Sequence, residues 1–411
     1  MYYLSSFTSS ALYSLIFTVN VLYYIFTARL DPLQLVLVGT ALEASIFIFE
    51  VPTGVVADTV SRRLSIILGV FLIGIAFLIN GSWPIFWVIM LAQVLWALGY
   101  TFTSGATQAW ISDEVGEEHA GLAFVRAARW EQWGSVAGTL LAILVATVSI
   151  RAPILMGGIF FILLAAYLAL FMPEVNYHGK PIDPSAGWRE FVSTFRGGIT
   201  VIRIRPALIG ILAAGFIYGF YSEGYDRLWQ AHLLEKFTLP DAGWFSAVYS
   251  GAEMSAVFWY ALFKITLSLL ASAGTKQVER HLHHIEIPKL ARMMILLSTI
   301  LFLALLGFAI TGNLIVSLAL GLIIGVVREV IYPIYTTWVN HRLPSNVRAT
   351  VLSFSSQVDA VGQTIGGPLV GVVAKQITIT VGLLTSTAML APVLPILWGQ
   401  RKKDEEHLAV D

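Results

Sequence analysis

The 411-residue chain contains no cysteine. Disulfides, thiol nucleophiles and thiolate-held metals are therefore excluded, and the redox compartment is left open. Charge is scarce as well: 12% of residues are Asp, Glu, Lys or Arg, against about 25% in an ordinary soluble protein. The 25 basic and 25 acidic residues cancel, so no nucleic acid or other polyanion is expected as a partner. There is no His-Glu-x-x-His, no glycine loop ending in Lys-Ser/Thr and no Gly-x-Ser-x-Gly elbow. The chain thus carries no enzyme signature and implies no cofactor. Its histidine cluster, His281, His283 and His284, falls in a basic loop and reads as a solvated face, so no metal site is expected. The N-terminus, Met1-Tyr-Tyr-Leu-Ser-Ser, lacks a basic region and a cleavage site, which predicts no removable signal peptide.

Long apolar runs take the place of the missing charge: 57% of residues are hydrophobic. A helix needs roughly 20 apolar residues to cross a bilayer. Twelve runs meet that length, at about 8–28, 34–57, 63–80, 84–110, 122–148, 154–172, 206–228, 243–271, 290–310, 314–339, 350–374 and 379–399. The pattern predicts an all-α membrane protein with twelve transmembrane helices in two six-helix bundles. Residues 1–174 form the first bundle and 206–400 the second. Between them, 175–205 reads as a cytoplasmic linker, with an amphipathic helix from Trp188 to Ile204. Residues 401–411 form a tail. Basic residues gather at Arg62, Arg63, the linker, 272–292, Arg342–Arg348 and Arg401-Lys402-Lys403. By the positive-inside rule and an even number of spans, both termini are expected in the cytoplasm of a multi-pass protein of the cytoplasmic membrane.

The turn Glu50-Val-Pro-Thr-Gly54-Val-Val-Ala-Asp58-Thr-Val-Ser-Arg62-Arg63 organises this pattern. Gly54 lies one helical turn after Glu50, where a neighbouring backbone could approach. Asp58 places a carboxylate at a helix end, where it can stabilise the N-terminus of another helix. The spacing Gly-x-x-x-Asp-x-x-x-Arg-Arg resembles the loop between the second and third helices of the major facilitator superfamily. That resemblance implies the major facilitator fold and a cytoplasmic gate of Gly54, Asp58, Arg62, Arg63 and Asp113. In it, Asp58 caps a helix start near Ala349 and Thr350, and Arg62 meets Asp113.

Ionisable groups within apolar runs are costly and so are functional candidates. Glu43, Glu50, Arg126, Arg129, Glu131, Lys264, Arg328 and Asp359 are of this kind. Arg328 with Asp359 is a plausible buried pair, and the family resemblance suggests Glu131 with Lys264. Gly362, Gly366, Gly367 and Gly371 permit close helix contact, and Pro368 a bend. Aromatic and polar residues form stripes at helical spacing: Phe17 and Asn20; Gln93, Trp96 and Tyr100; Tyr218 and Tyr221; Tyr332 and Tyr335. Such faces suit the wall of a substrate path, and in the superfamily these helices line the cavity.

Three stretches resemble the macrolide and tetracycline exporters of that superfamily. They are Leu35 to Glu43 leading into the Gly54 turn, Gly105 to Glu114, and Arg348 to Ser353 continuing through Gly371. The resemblance implies a secondary transporter that exports a hydrophobic or amphipathic solute by alternating access, coupled to protons or another ion, as a monomer in the lipid bilayer. Two departures weaken proton antiport. Leu95 to Gly99 stands where an Arg-x-x-Gln-Gly stretch is common, and the run holding Gly134 and Gly138 has no proline. An importer or facilitator of a sugar, nucleoside or organic anion is the alternative, and a non-transporting sensor is the third reading.

Overall fold

The computed structural model describes residues 1–177, 207–241, 251–282, 287–341 and 345–408. All regular structure in them is helical. The chain runs α1 (Tyr2–Phe17), α2 (Asn20–Phe26), α3 (Pro32–Thr59), α4 (Arg62–Ser82), α5 (Phe86–Thr103), α6 (Ala106–Val115), α7 (Glu117–Ala146) and α8 (Ala152–Phe171). It continues through α9 (Ala207–Lys236), α10 (Gly251–Leu282), α11 (Ile287–Ile310), α12 (Leu314–His341), α13 (Ser345–Gln376), α14 (Ile379–Leu390) and α15 (Val393–Leu408).

Local chemistry sets several of these ends. Asp31 and Gln34 form a reciprocal capping box at the start of α3, with Pro32 as its first helical residue. Ser61 caps α4 by accepting from the Leu64 N–H at 2.9 Å, and Thr378 caps α14 at Val381.

The expectation of twelve transmembrane helices in two six-helix bundles is corrected here. Among the described residues, nine helices are long and apolar enough to cross a membrane. They are Tyr2–Phe26, Pro32–Thr59, Arg62–Ser82, Phe86–Val115, Ala152–Phe171, Ala252–Val278, Lys289–Ile310, Leu314–Val339 and Ile379–Lys402. The long helices that fall short are α7, α9 and α13. Each has the length, but half of each is polar. Arg126, Arg129 and Glu131 interrupt α7, Glu223, Asp226 and Arg227 interrupt α9, and Asp359, Gln363 and several glycines dilute α13. The expected amphipathic helix at 188–204 lies outside the described residues, as do His283 and His284 of the histidine cluster, while His281 falls in the last turn of α10.

The chain divides into two compact units. The first holds 1–191 and 239–262, and the second 192–238 and 263–411, so α10 is shared between them. In the first unit α1 packs along α7. Gly134 and Gly138 make that approach possible: a Cβ on either would run into the backbone carbonyls of Phe7 and Ala11. In the second unit α9 packs along α13 in the same manner. Gly362 and Gly366, again four residues apart, face the carbonyls of Phe216 and Phe220. Gly54 differs, since a Cβ there would meet nothing within 4 Å, and the close backbone approach expected at it is absent among the described residues.

Candidate functional site

The α3–α4 turn builds a charged cluster within the first unit. The Arg62 guanidinium donates to Asp113 and, at 2.8 Å, to the Ala109 carbonyl. Asp58 stands 3.9 Å from Arg62 and its side chain is 59% exposed, so that pair is the weaker of the two. Arg63 donates to the Ala169 carbonyl at 2.6 Å. The expected contact of Asp58 near Ala349 and Thr350 involves side chains outside the described residues.

Three further residues complete this cluster. Glu174 accepts from Ser61 Oγ at 2.6 Å and from the Arg63 N–H at 2.9 Å. A carboxylate thus closes the N-terminus of α4, where the helix dipole favours it. Glu114 accepts from the Val175 N–H at 2.8 Å. Tyr177 donates to the Asp58 carbonyl at 2.8 Å, and its ring lies 5.8 Å from the Arg62 guanidinium. Desolvation, with Glu174 nearby, raises the Tyr177 phenol above its ordinary pKa, which keeps it a donor. The segment after α8 is thereby strapped across the turn.

The second unit holds a cavity of about 490 Å³. Its wall includes Tyr218, Tyr221, Tyr332 and Tyr335, the hydroxyls of Ser222, Ser355, Ser356 and Thr336, and the charged Arg328 and Asp359. Arg328 is not paired with Asp359. Both of its terminal nitrogens engage Asp226, Nη2 reaching Oδ2 at 2.7 Å. Asp359 accepts from Gln363 Nε2 at 2.7 Å. Tyr335 donates to the Ile211 carbonyl at 3.0 Å and meets Ser355 Oγ at 3.0 Å, and Tyr218 meets Ser298 Oγ at 2.7 Å. One turn before Asp226, the buried Glu223 accepts from Arg227 Nε at 2.7 Å. Glu223, Asp226 and Arg227 were not singled out in the sequence because they fall at the end of the run 206–228, where charge reads as a boundary. Their spacing could have marked them, since Asp226 and Arg227 follow Glu223 by one helical turn.

The polar residues of the first unit are placed differently. Asn20 Nδ2 donates to Tyr24 OH at 3.1 Å, Tyr24 OH to Asn80 Oδ1 at 3.0 Å, and Asn80 Nδ2 back to Asn20 Oδ1 at 2.9 Å. Gln93 Nε2 adds a donor to Tyr24 OH at 3.0 Å. All four residues are buried. Phe17 and Trp96 pack into an aromatic cluster with Phe77, tilted or edge to face, at ring distances of 5.1 to 5.9 Å. Glu50 and Tyr100 are exposed, and Glu50 accepts from Ser104 Oγ at 3.3 Å. Arg126, Arg129 and Glu131 lie exposed along α7, with Glu131 on a separate cavity of about 380 Å³ lined by α1 serines. Glu43 is half-buried in the first unit, and Lys264 is half-buried in the second.

Comparison with known proteins agrees with this architecture. The family model described as Major Facilitator Superfamily matches residues 2–367. A relative from Bacillus subtilis (strain 168), described as an uncharacterized MFS-type transporter YxaM, is 23% identical over 396 residues, covering 93% of this chain and 91% of its own length. Among solved structures, the nucleoside transporter NupG has a TM-score of 0.72 at 11% identity, with 97% of each chain covered. A bacterial homolog of the human lysosomal transporter Spinster, inward-facing and unoccupied, has a TM-score of 0.74 at 14% identity, covering 98% of this chain and 96% of its own. A POT family transporter in complex with 5-aminolevulinic acid reaches 0.73 at 13% identity, with 98% and 96% covered. Likeness at such identities is one of fold. The resemblance to macrolide and tetracycline exporters is thereby narrowed to the superfamily.

Proposed function

The chain belongs to the Major Facilitator Superfamily, and from that premise we propose that it transports a small polar metabolite rather than an apolar drug. It is a multi-pass membrane protein and a secondary transporter that moves small solutes by alternating access, and it is not an enzyme. What supports the metabolite reading is the wall of the cavity in the second unit. Asp359, Gln363, Tyr221, Tyr332 and the exposed or half-exposed hydroxyls of Ser356 and Thr336 offer hydrogen bonds to a solute. An apolar solute would strip water from these groups and give nothing back, at about 1–3 kcal/mol for each one left unsatisfied. A polar metabolite pairs with them instead, and about 490 Å³ accommodates a solute of nucleoside or dipeptide size. The structural neighbours described above include a nucleoside transporter and a POT family transporter in complex with 5-aminolevulinic acid, which supports the same class.

Within this reading the cluster of Asp58, Arg62, Arg63 and Asp113 acts as a latch on conformational change. Asp359, Glu50, Glu43 and Glu131 are the carboxylates placed to exchange a coupling proton.

A panel of nucleosides, dipeptides, amino acids, sugars, tetracycline and erythromycin, added at matched concentration to the purified protein, tests the substrate class. Binding to the folded state alone raises stability by about 2.7 kcal/mol at a hundredfold excess over Kd. At least one polar metabolite should therefore raise the melting temperature by several degrees, and the two drugs should not. The reverse pattern would restore drug efflux. Uptake of that metabolite into vesicles under a pH gradient of each sign then reads direction and coupling.

A further inference from the structure

Two charged side chains line the cavity of the second unit, and they are not in the same state. The Arg328 fork is filled by Asp226, which meets both terminal nitrogens. Its guanidinium also lies 6.0 Å from the Tyr221 ring and 5.8 Å from the Tyr225 ring. A bidentate carboxylate uses the edge through which arginine recognises an anion, and the stacked rings occupy the approach to its plane. The neighbouring Glu223–Arg227 pair adds no net charge. Asp359, by contrast, has Gln363 as its hydrogen-bond donor and no salt bridge among the described residues. Summed over the described residues of the wall and the side chains directly behind it, the cavity carries one excess negative charge.

We propose that this cavity binds a solute bearing a protonated amine, with Asp359 as its counter-ion and tyrosine rings around it. This rests on the reading that the cavity is where the solute binds. A carboxylate away from bulk water is stabilised by an opposite charge brought to it. Tyr218, Tyr221, Tyr332 and Tyr335 share its wall, and Tyr218 and Tyr335 stand edge to face at 6.1 Å. Their ring faces attract a cation. Ser355, Ser356 and Thr336 supply oxygens that accept from ammonium N–H groups. A simple anion would meet the opposite situation: repulsion from Asp359 and an arginine whose fork is already filled. With Asp226 in its fork, Arg328 is not free to hold an organic anion.

Three probes with the same ring and tail separate charge from shape: phenethylamine, phenethyl alcohol and hydrocinnamate. Titrated calorimetrically into the detergent-purified protein, phenethylamine should bind about tenfold more tightly than the alcohol, and hydrocinnamate least. Asp359→Asn should erase the preference for the amine and leave the alcohol unchanged. Asp226→Asn should release Arg328 and raise hydrocinnamate affinity about tenfold. Because that variant leaves a guanidinium without its partner and could fail to fold, the double variant Asp226→Asn/Arg328→Gln provides a neutral control. It should keep the wild-type preference for the amine. Amine preference that persists in Asp359→Asn, or a wild-type protein that favours hydrocinnamate, overturns the charge assignment. No binding by any probe overturns the cavity as the solute site, and with it the reading on which this proposal stands.

Discussion

Gly366→Val should cost about 3 kcal/mol or more, the upper range for overpacking a closed interface. For a unit of this size that is a fall in melting temperature of roughly 6–12 °C. The obstacle is backbone, not side chain. A Cβ at Gly366 would collide with the Phe220 carbonyl, and one at Gly362 would lie 2.5 Å from the Phe216 carbonyl. Neither obstacle can rotate away, so α9 and α13 would have to separate along their shared length. Gly138→Val should act in the same way between α1 and α7, where Ala11 presents its carbonyl. Gly54→Ala is the control. Its Cβ would meet nothing within 4 Å, and removing a glycine from a helix interior is worth roughly 0.5–1 kcal/mol in stability. Melting curves of the three purified variants decide the matter. If Gly366→Val melts with Gly54→Ala, the close approach of α9 and α13 is not what holds the second unit together.

These glycines show what a sequence can and cannot carry. The four-residue spacing of Gly362 and Gly366 is a local pattern, and it coincides with a contact because two long helices run together there. Gly54 and Glu50 have the same spacing, yet no backbone lies opposite. Spacing describes one face of one helix; the partner is fixed by tertiary packing. Charge was read with a similar blind spot. Arg328 and Asp359 stand in mid-run and were conspicuous. Asp226, Glu223 and Asn80 lie near the ends of their runs, where polarity is expected for free, and so the partner of Arg328 was missed. Glu174 was left at the end of the first bundle and Tyr177 in the linker, and neither was given a role. Among the described residues, fewer helices than the expected twelve are apolar enough to cross a membrane, for a related reason. Length was legible in α7, α9 and α13, but the polar half of each, with Arg129 and Glu131 or Glu223 and Asp226, lowers its apolarity below what a lipid-facing helix needs.

Asn80→Leu should be the most damaging loss of a polar side chain in the first unit. Asn20, Tyr24 and Asn80 close a ring of three hydrogen bonds, each residue donating to the next. Leucine at position 80 keeps the branching and the number of side-chain heavy atoms, so the change chiefly removes polarity. It leaves Asn20 Oδ1 without the amide donor and Tyr24 OH without its acceptor, in positions that water does not reach. At about 1–3 kcal/mol for each buried group left unpaired, the loss is roughly 2–6 kcal/mol. Gln93→Leu removes a single donor from a phenol that keeps its other two partners, so it should cost about 1 kcal/mol. The order of melting temperatures is therefore wild type, Gln93→Leu, Asn20→Ala, Asn80→Leu. Solute affinity separates this from a direct role in recognition. Groups that satisfy one another have no hydrogen bond to give a solute without breaking the ring, so Asn20→Ala and Gln93→Leu should lower stability while the Kd of any solute identified in the metabolite panel stays within about twofold of wild type. Variants that melt like wild type but bind that solute about tenfold more weakly would return Asn20 and Gln93 to the substrate path that their helical stripe first suggested.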